Sequence, residues 1–314
     1  MDKPPDDMPM PAGFRHKVKR LQKECCTRTS HGKEGGMERY EQTTLFPKEK
    51  PADVMPSSTS WNLWHGCHKC SPGCWHCYVY RRDAEFGRDS SVVNKTKVFR
   101  KPVQKYRTGP RKGEYKYPSG TTFLTCFTSD FFIAEADEWR PEAWAIMRER
   151  SDCYFYMITK RPERILDTLP ADWGKGYPNV HICCTCENQK MADKRLPIYL
   201  ELPLPDKSII HEPMLEQINI RPYLEKYGPQ ISSISCGGES GPGARICDYG
   251  WVLDTHMQCV EYGVPFSFHQ TGARLRKGEK IYEIPREYQH EQAHKAHLDF
   301  NGVSLPAWDY LSEK

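Results

Sequence analysis

The sequence predicts an α/β protein with a parallel sheet and helices outside it, either an open sheet or a complete or partial β/α barrel. Three observations carry that expectation. Short β-branched or aromatic runs recur from about Trp61 onward, each run ends in polar residues, and helix-like segments fill the intervals. The runs are Thr121–Phe127 (TTFLTCF), Tyr154–Thr159 (YFYMIT), Val180–Cys186 (VHICCTC), Ser208–His211 (SIIH), Ile231–Cys236 (ISSISC) and Pro265–Phe268 (PFSF). A short strand near Trp61 precedes them, which makes roughly six or seven β-α units.

In chain order, residues 1–55 come first. They are rich in Pro, Lys, Glu and Gly without a sustained apolar period and are expected to form a disordered extension. Cys25-Cys26 lies there with no second thiol at ligand spacing. Residues 56–300 form the expected barrel domain, with a basic insertion at about 81–117, and residues 301–314 form a C-terminal tail. Among the helices, Pro141–Arg150 opens with Pro at a first helical position and ends in basic residues, which suits the helix dipole. Asn188–Leu202 and Tyr249–Tyr262 follow two later runs.

Composition narrows the function classes. The chain has 314 residues and a mean hydropathy of −0.75, with no apolar run long enough to span a membrane. Its start, MDKPPDDMPMPAGF, has Pro and acids where a secretory signal has its apolar stretch, so a cytoplasmic protein with no membrane association is expected. In that compartment the 14 cysteines are not a disulfide framework; they fill the core or bind metal.

In parallel α/β folds ligands gather at the C-terminal ends of the strands. The residues just after the runs are Ser129-Asp130, Lys160-Arg161, Glu187-Asn188, Glu212, Gly237-Gly238-Glu239 and His269-Gln270. Asp130 and Glu187 are candidate acid–base or ribose-binding groups, and Lys160-Arg161 could clamp a phosphate or carboxylate. Helix caps and solvated helix starts are the competing explanation for each.

The strongest local signal is WHGCHKCSPGCWHCY, residues 64–78. Cys67, Cys70, Cys74 and Cys77 fall within eleven positions, with Gly66, Pro72 and Gly73 able to turn the backbone around an ion. Thiolates at such spacing suit zinc or an iron–sulfur cluster. Zinc sites commonly join two C-x2-C knuckles from separate segments, and here one tight loop would have to wrap the whole tetrahedron.

Cys70-x3-Cys74-x2-Cys77 resembles the three-cysteine loop of radical S-adenosylmethionine enzymes. That resemblance implies a partial β/α barrel, a [4Fe-4S] cluster held through three irons, and S-adenosylmethionine bound at the fourth and cleaved reductively. The motifs WNLWHGC, SPGCWHCY, SDFF, TKRPERI, ENQ, GGESG and FHQTG, from about Ser60 to about Ala296, also resemble an uncharacterised phage and bacterial family described by a three-cysteine motif. Its x6 and x2 spacing maps onto Cys67, Cys74 and Cys77, leaving Cys70 as an extra thiol. The first ligand is therefore expected to be Cys67, with Cys70 the alternative. Radical S-adenosylmethionine enzymes commonly carry Gly-Gly-Glu after the second strand to hold the cofactor's amino group. Here Gly237, Gly238 and Glu239 come near the sixth, and a Gly-rich turn is the alternative to a cofactor site.

The remaining cysteines attract less. Cys184 and Cys186 share one strand face, Cys183 points the other way, and buried cysteine behaves as a small hydrophobe. Charge is uneven. Residues 81–116 hold twelve Lys and Arg against four acids, a net of +8 in a chain of +4, so the remainder is −4. Phe99, Tyr106 and Tyr115 interleave with those bases, which suits stacking plus phosphate contact by a nucleic acid; a solvated insertion is the alternative.

Taken together, the residues and the resemblance lead to an iron–sulfur enzyme that cleaves S-adenosylmethionine to act on an unidentified substrate, with nucleic acid or nucleotide the class suggested by the basic segment. The alternatives are a zinc-binding or nuclease-like nucleic-acid protein, and a non-catalytic partner protein with a structural metal site.

Overall fold

A computed structural model of the protein describes residues 58–302. The expected N-terminal extension, its Cys25-Cys26 pair and residues 303–314 lie outside the described residues. The expected runs become seven strands: β1 (Ser58–Trp61), β2 (Thr122–Thr125), β3 (Tyr154–Thr159), β4 (Val180–Thr185), β5 (Lys207–His211), β6 (Ile231–Gly237) and β7 (Phe266–Gln270). They pair in chain order and every neighbouring pair is parallel. The sheet curls into a half-barrel, with β1 and β7 as its edges.

Side-chain alternation explains why these segments are strands. In β3, Phe155, Met157 and Thr159 are buried while Tyr154, Tyr156 and Ile158 are half-buried on the opposite face. The buried set joins a continuous core in which Trp61 packs on Phe123 and Phe155, with ring centroids 6.1 and 5.4 Å away. The helices α1 (Tyr78–Glu85), α2 (Arg140–Glu149), α3 (Ile165–Thr168), α4 (Gln189–Tyr199), α5 (Arg221–Tyr227), α6 (Tyr249–Glu261) and α7 (Gln289–His294) connect or flank the strands. Asn188 caps α4 by accepting from the Met191 N–H at 2.9 Å, and Asp248 caps α6 through the Gly250 N–H at 2.7 Å. Cys184 and Cys186 join the core as expected, and Cys126, Cys153, Cys183, Cys236, Cys247 and Cys259 are buried free thiols.

Two small sheets were not foreseen: Trp64–His65 pairs antiparallel with Asn94–Lys95, and a second sheet forms around Arg274–Lys277. Arg274–Lys277 pairs antiparallel with Lys280–Glu283 and parallel with Cys247–Asp248. Lys280–Glu283 is exposed along its whole length, so it carries no apolar alternation for a sequence to display.

The basic insertion also differs from expectation. Its first part stays beside the cysteine loop, with Ser90 accepting from the Cys67 N–H and Asn94–Lys95 pairing with Trp64–His65, but residues 102–117 do not. Arg150, fully buried at the C-terminal end of α2, donates to the carbonyls of Pro102 (2.5 Å) and Tyr117 (2.8 Å). Tyr115 donates to Glu149 at 2.8 Å. Residues 102–117 are thus fixed at the N-terminal end of the strands, opposite the end where the cysteine loop leaves β1. Phe99 is 3% exposed beneath Trp64, so it cannot stack on a base. Tyr106 and Tyr115 are covered by Arg111 and Arg150, 4.7 and 4.2 Å from their ring centres.

Candidate functional site at the cysteine loop

The loop is anchored before its first thiol. Trp61 and Trp64 are fully buried and donate through Nε1 to the carbonyls of Phe99 (2.8 Å) and Asp130 (3.1 Å), which fixes the chain as it leaves β1. Gly66 then takes a left-handed φ of +97°, and a Cβ there would lie 2.3 Å from the Val92 carbonyl oxygen. Cys67 N–H donates to Ser90 (2.7 Å), and the Cys67 carbonyl accepts from the Tyr80 hydroxyl. Pro72–Cys74 forms a 3-10 turn that leads through Cys77 into α1.

Cys70 Sγ lies 3.9 Å from Cys74 Sγ. That thiol–thiol contact lowers Cys74 to about 5 against the opposing effect of burial, with the Lys160 charge adding to it, and raises Cys70. Burial pushes Cys67 up to about 11; Arg161 opposes this, while Asp130, Cys74 and Cys77 add to it. Among the described residues no three His, Cys, Asp or Glu side chains are gathered closely enough to hold a metal ion. The chemistry of the donor set nevertheless fits a thiophilic metal: four thiols on one partly exposed loop with cationic neighbours, which favour the thiolate.

Those neighbours are built in one repeated way. Three buried carboxylates stand after alternate strands, and each grips an arginine that continues to the loop. After β2, Asp130 accepts from Arg161 Nη1 at 3.0 Å, and Arg161 reaches the His68 carbonyl at 2.7 Å and Cys67 Sγ at 3.9 Å. After β4, Glu187 accepts from Arg195 Nη1 at 2.6 Å, and Arg195 Nη2 lies 4.0 Å from Cys70 Sγ. After β6, Glu239 accepts from Arg245 Nε at 3.0 Å, and Arg245 Nη1 donates to the Pro72 carbonyl at 3.0 Å. Two carboxylates also touch the loop directly: Gly73 N–H donates to Glu187 (3.2 Å), and His76 Nδ1 lies 2.9 Å from Glu239. Burial raises the Glu187 and Glu239 carboxyls, but their arginines outweigh it and hold both below the usual carboxylate range.

The sequence-derived candidates are therefore brought to one place, with roles the geometry makes specific. Asp130 has both oxygens occupied, by the Phe132 and Lys160 N–H groups (3.0 Å each), the Thr159 hydroxyl (2.8 Å) and Arg161. Lys160 is half-buried, and its charge reaches Cys74 and Glu187. Gly237 and Gly238 leave room for protein atoms. A Cβ at Gly237 would meet the Glu212 side chain at 2.7 Å, and one at Gly238 would meet the Thr271 carbonyl oxygen at 2.4 Å. Gln270 accepts from the Gly272 N–H at 2.9 Å and donates to the Gly238 carbonyl at 2.5 Å, closing that turn. Sequence reasoning did not find Arg195, Arg245 or His76.

No curated protein and no solved structure is matched by the chain at a significant level. Residues 53–305, most of the chain, match the family described as protein of unknown function (DUF5131), and the chain belongs to that family.

Proposed function

We propose that the protein is an iron–sulfur enzyme that cleaves S-adenosylmethionine reductively, with the cysteine loop as its cofactor site. The observation that carries this reading is the convergence of three carboxylate–arginine pairs on one thiol loop at the mouth of a parallel half-barrel, the end where such folds place ligands. Cys67, Cys74 and Cys77 would hold the metal, with the Cys70 sulfur 3.9 Å from that of Cys74. When bound, a [4Fe-4S] cluster would supply one electron and an open iron for the cofactor's amino and carboxylate groups. The residues around it do the rest. Arg161 and Lys160 offset the negative charge of the sulfur ligands Cys67 and Cys74, Glu187 holds the loop backbone through Gly73, and Glu239 is a carboxylate able to accept from an ammonium.

Anaerobically purified protein should be brown, contain about four irons per chain, and release 5′-deoxyadenosine when reduced with S-adenosylmethionine. Cys67→Ala should lose the cluster while Cys70→Ala keeps it. Iron without release of deoxyadenosine would overturn the catalytic reading and favour a structural cluster.

One distance favours a second reading, a zinc site. Two thiolates on one tetrahedral zinc stand ~3.8 Å apart at a Zn–S distance of ~2.3 Å, and Cys70 and Cys74 are 3.9 Å apart. A colourless protein with one tightly held zinc, lost in Cys70→Ala, would establish that reading and end the first.

A further inference from the structure

A cleft of about 350 Å³ opens beside the cysteine loop, bounded by Trp75, His76, Tyr80, Arg81, Pro242 and Gly243. Trp75 is 61% exposed, whereas every other tryptophan among the described residues is buried or half-buried. Its ring is nevertheless positioned: the Arg245 guanidinium lies 5.9 Å from its centre while bonded to Glu239 and to the Pro72 carbonyl. Across the cleft, Arg81 lies where a Cβ on Gly241 would be, 2.4 Å from Nη2, and Gly241 takes a φ of +94°. Arg81 has no carboxylate partner among the described residues, in contrast to Arg161, Arg195 and Arg245. From the cleft the exposed face of α1 continues through Tyr78 (47%), Arg82 and Phe86 (64%), and Arg88 stacks over Phe86 at 5.5 Å. Asp83 is turned inward onto His65 and Ser90, which leaves Glu85 as the exposed acid of the helix.

We propose that this cleft and the exposed face of α1 bind a single-stranded nucleic acid, with one base stacked on Trp75 and the adjoining phosphates at Arg81 and Arg82. An exposed indole held in place by Arg245, sharing a cleft with the unpaired Arg81, is the arrangement that reads a base face and a backbone together. A duplex hides its base faces and cannot use it. Among the aromatic residues of the basic insertion, Phe99 is buried and Tyr106 and Tyr115 are half-buried, and Phe86 belongs to the exposed face of α1 itself. The inference rests on the proposed function only in taking the cysteine loop as the reacting centre; it names the substrate class, since Cys77 lines the same cleft.

Binding can be measured without turnover, so it fails or succeeds independently of cluster chemistry. The full chain, purified anaerobically and kept without reductant or cofactor, is titrated with labelled single strands of about twelve nucleotides, DNA and RNA, and with the matching duplex. Single strands should bind, quench tryptophan fluorescence, and bind less tightly as salt rises from about 50 to about 200 mM. Trp75→Ala should weaken binding about tenfold and abolish most of the quenching, with Trp75→Phe retaining most of the affinity. Arg81→Gln with Arg82→Gln should reduce the salt slope. Neutralising Lys112 and Lys116 should change neither. The inference is overturned by equal affinity for duplex, by no effect of Trp75→Ala, or by a nucleoside monophosphate competing at the concentration of the strand itself.

Discussion

At the mouth of the half-barrel, Arg161, Arg195 and Arg245 each leave a buried carboxylate and extend to the cysteine loop. At the opposite end, Arg150 and Lys207 are as deeply buried but close on the protein itself. Arg150 donates to the Pro102 and Tyr117 carbonyls and to Asp152, and Lys207 donates to the Leu200 carbonyl and Gln230, each at 2.8 Å. Buried charge must be paired and hydrogen-bonded wherever it occurs. The difference lies in what remains. The far-end donors end on carbonyls, Asp152, Gln230 and the buried Cys153 sulfur, whereas the mouth arginines keep donors 3.9 and 4.0 Å from the sulfurs of Cys67 and Cys70, which are not buried.

The largest expected effect tests that contrast directly. Arg195→Ala strands Glu187, which is fully buried, and Arg150→Ala strands two carbonyls and Asp152. Arg195→Ala should cost about 3–5 kcal/mol in chemical denaturation, because Glu187 is left buried and uncompensated; Arg150→Ala should cost about 1–3 kcal/mol, for its carbonyls alone, since Asp152 is 39% exposed. Only Arg195→Ala should change the alkylation rate of the loop thiols in metal-stripped native protein. Equal changes in both variants would break the distinction between the two ends.

Titration separates the ends next. His211 closes β5 at the mouth; burial pushes it down to about 4, its Nδ1–H donates to the Cys186 carbonyl at 2.5 Å, and its Nε2 is buried without a partner. Unfolding lets it charge near pH 6.5, so its stability contribution is complete above that value. The contribution is lost as pH falls from about 6.5 to about 4, roughly 3 kcal/mol in all. His181 opens β4 at the other end. Burial opposes its charge, but Cys183 and the Asp206 carboxylate (2.5 Å) raise it to about 10. Its contribution is complete below about pH 6.5 and fades as pH rises toward 10. Denaturation midpoints across pH should therefore lose their acid limb in His211→Gln and their alkaline limb in His181→Gln; a single limb responding to both variants would contradict the assignment.

Smaller effects distinguish two glycines near the mouth. A Cβ at Gly238 would meet backbone, the Thr271 carbonyl oxygen at 2.4 Å and Gly272 Cα at 2.9 Å, neither able to rotate away. At Gly73 it would meet the Glu187 side chain at 3.0–3.1 Å. Gly238→Ala should cost about 1–3 kcal/mol and Gly73→Ala less than about 1 kcal/mol. Thermal melts would read both, and a larger loss for Gly73→Ala would mean that Glu187 has no freedom to yield.

These residues also mark how far the sequence could be read. The parallel sheet was legible because its strands are apolar on at least one face, as Phe155 and Met157 are in β3. The carboxylates Asp130, Glu187 and Glu239 were legible because strand ends are where a parallel fold collects polar groups. Their partners were not. Arg195 stands on α4 like any solvated helix charge, and only packing turns it back to Glu187. The excess charge of the insertion was countable, but its location was not: Arg150, more than thirty residues beyond the insertion, decides where residues 102–117 lie.

The smallest expected effect concerns that insertion. Lys95 and Arg100 both pair with Glu142, at 2.8 and 2.5 Å, and all three side chains are more than a third exposed. Holding long side chains in place and screening by water and salt leave such pairs worth little, so Glu142→Gln should cost less than about 0.5 kcal/mol. The loss should vanish in about 1 M salt, where the Debye length falls to about 3 Å. The same salt should leave the Arg195→Ala penalty nearly intact, because the Arg195–Glu187 pair is out of reach of ions. A Glu142→Gln loss that persists in salt would mean that the insertion is clamped as firmly as the cysteine loop. The contrast between a charge-rich surface and a charge-built site would then fail at its weakest point.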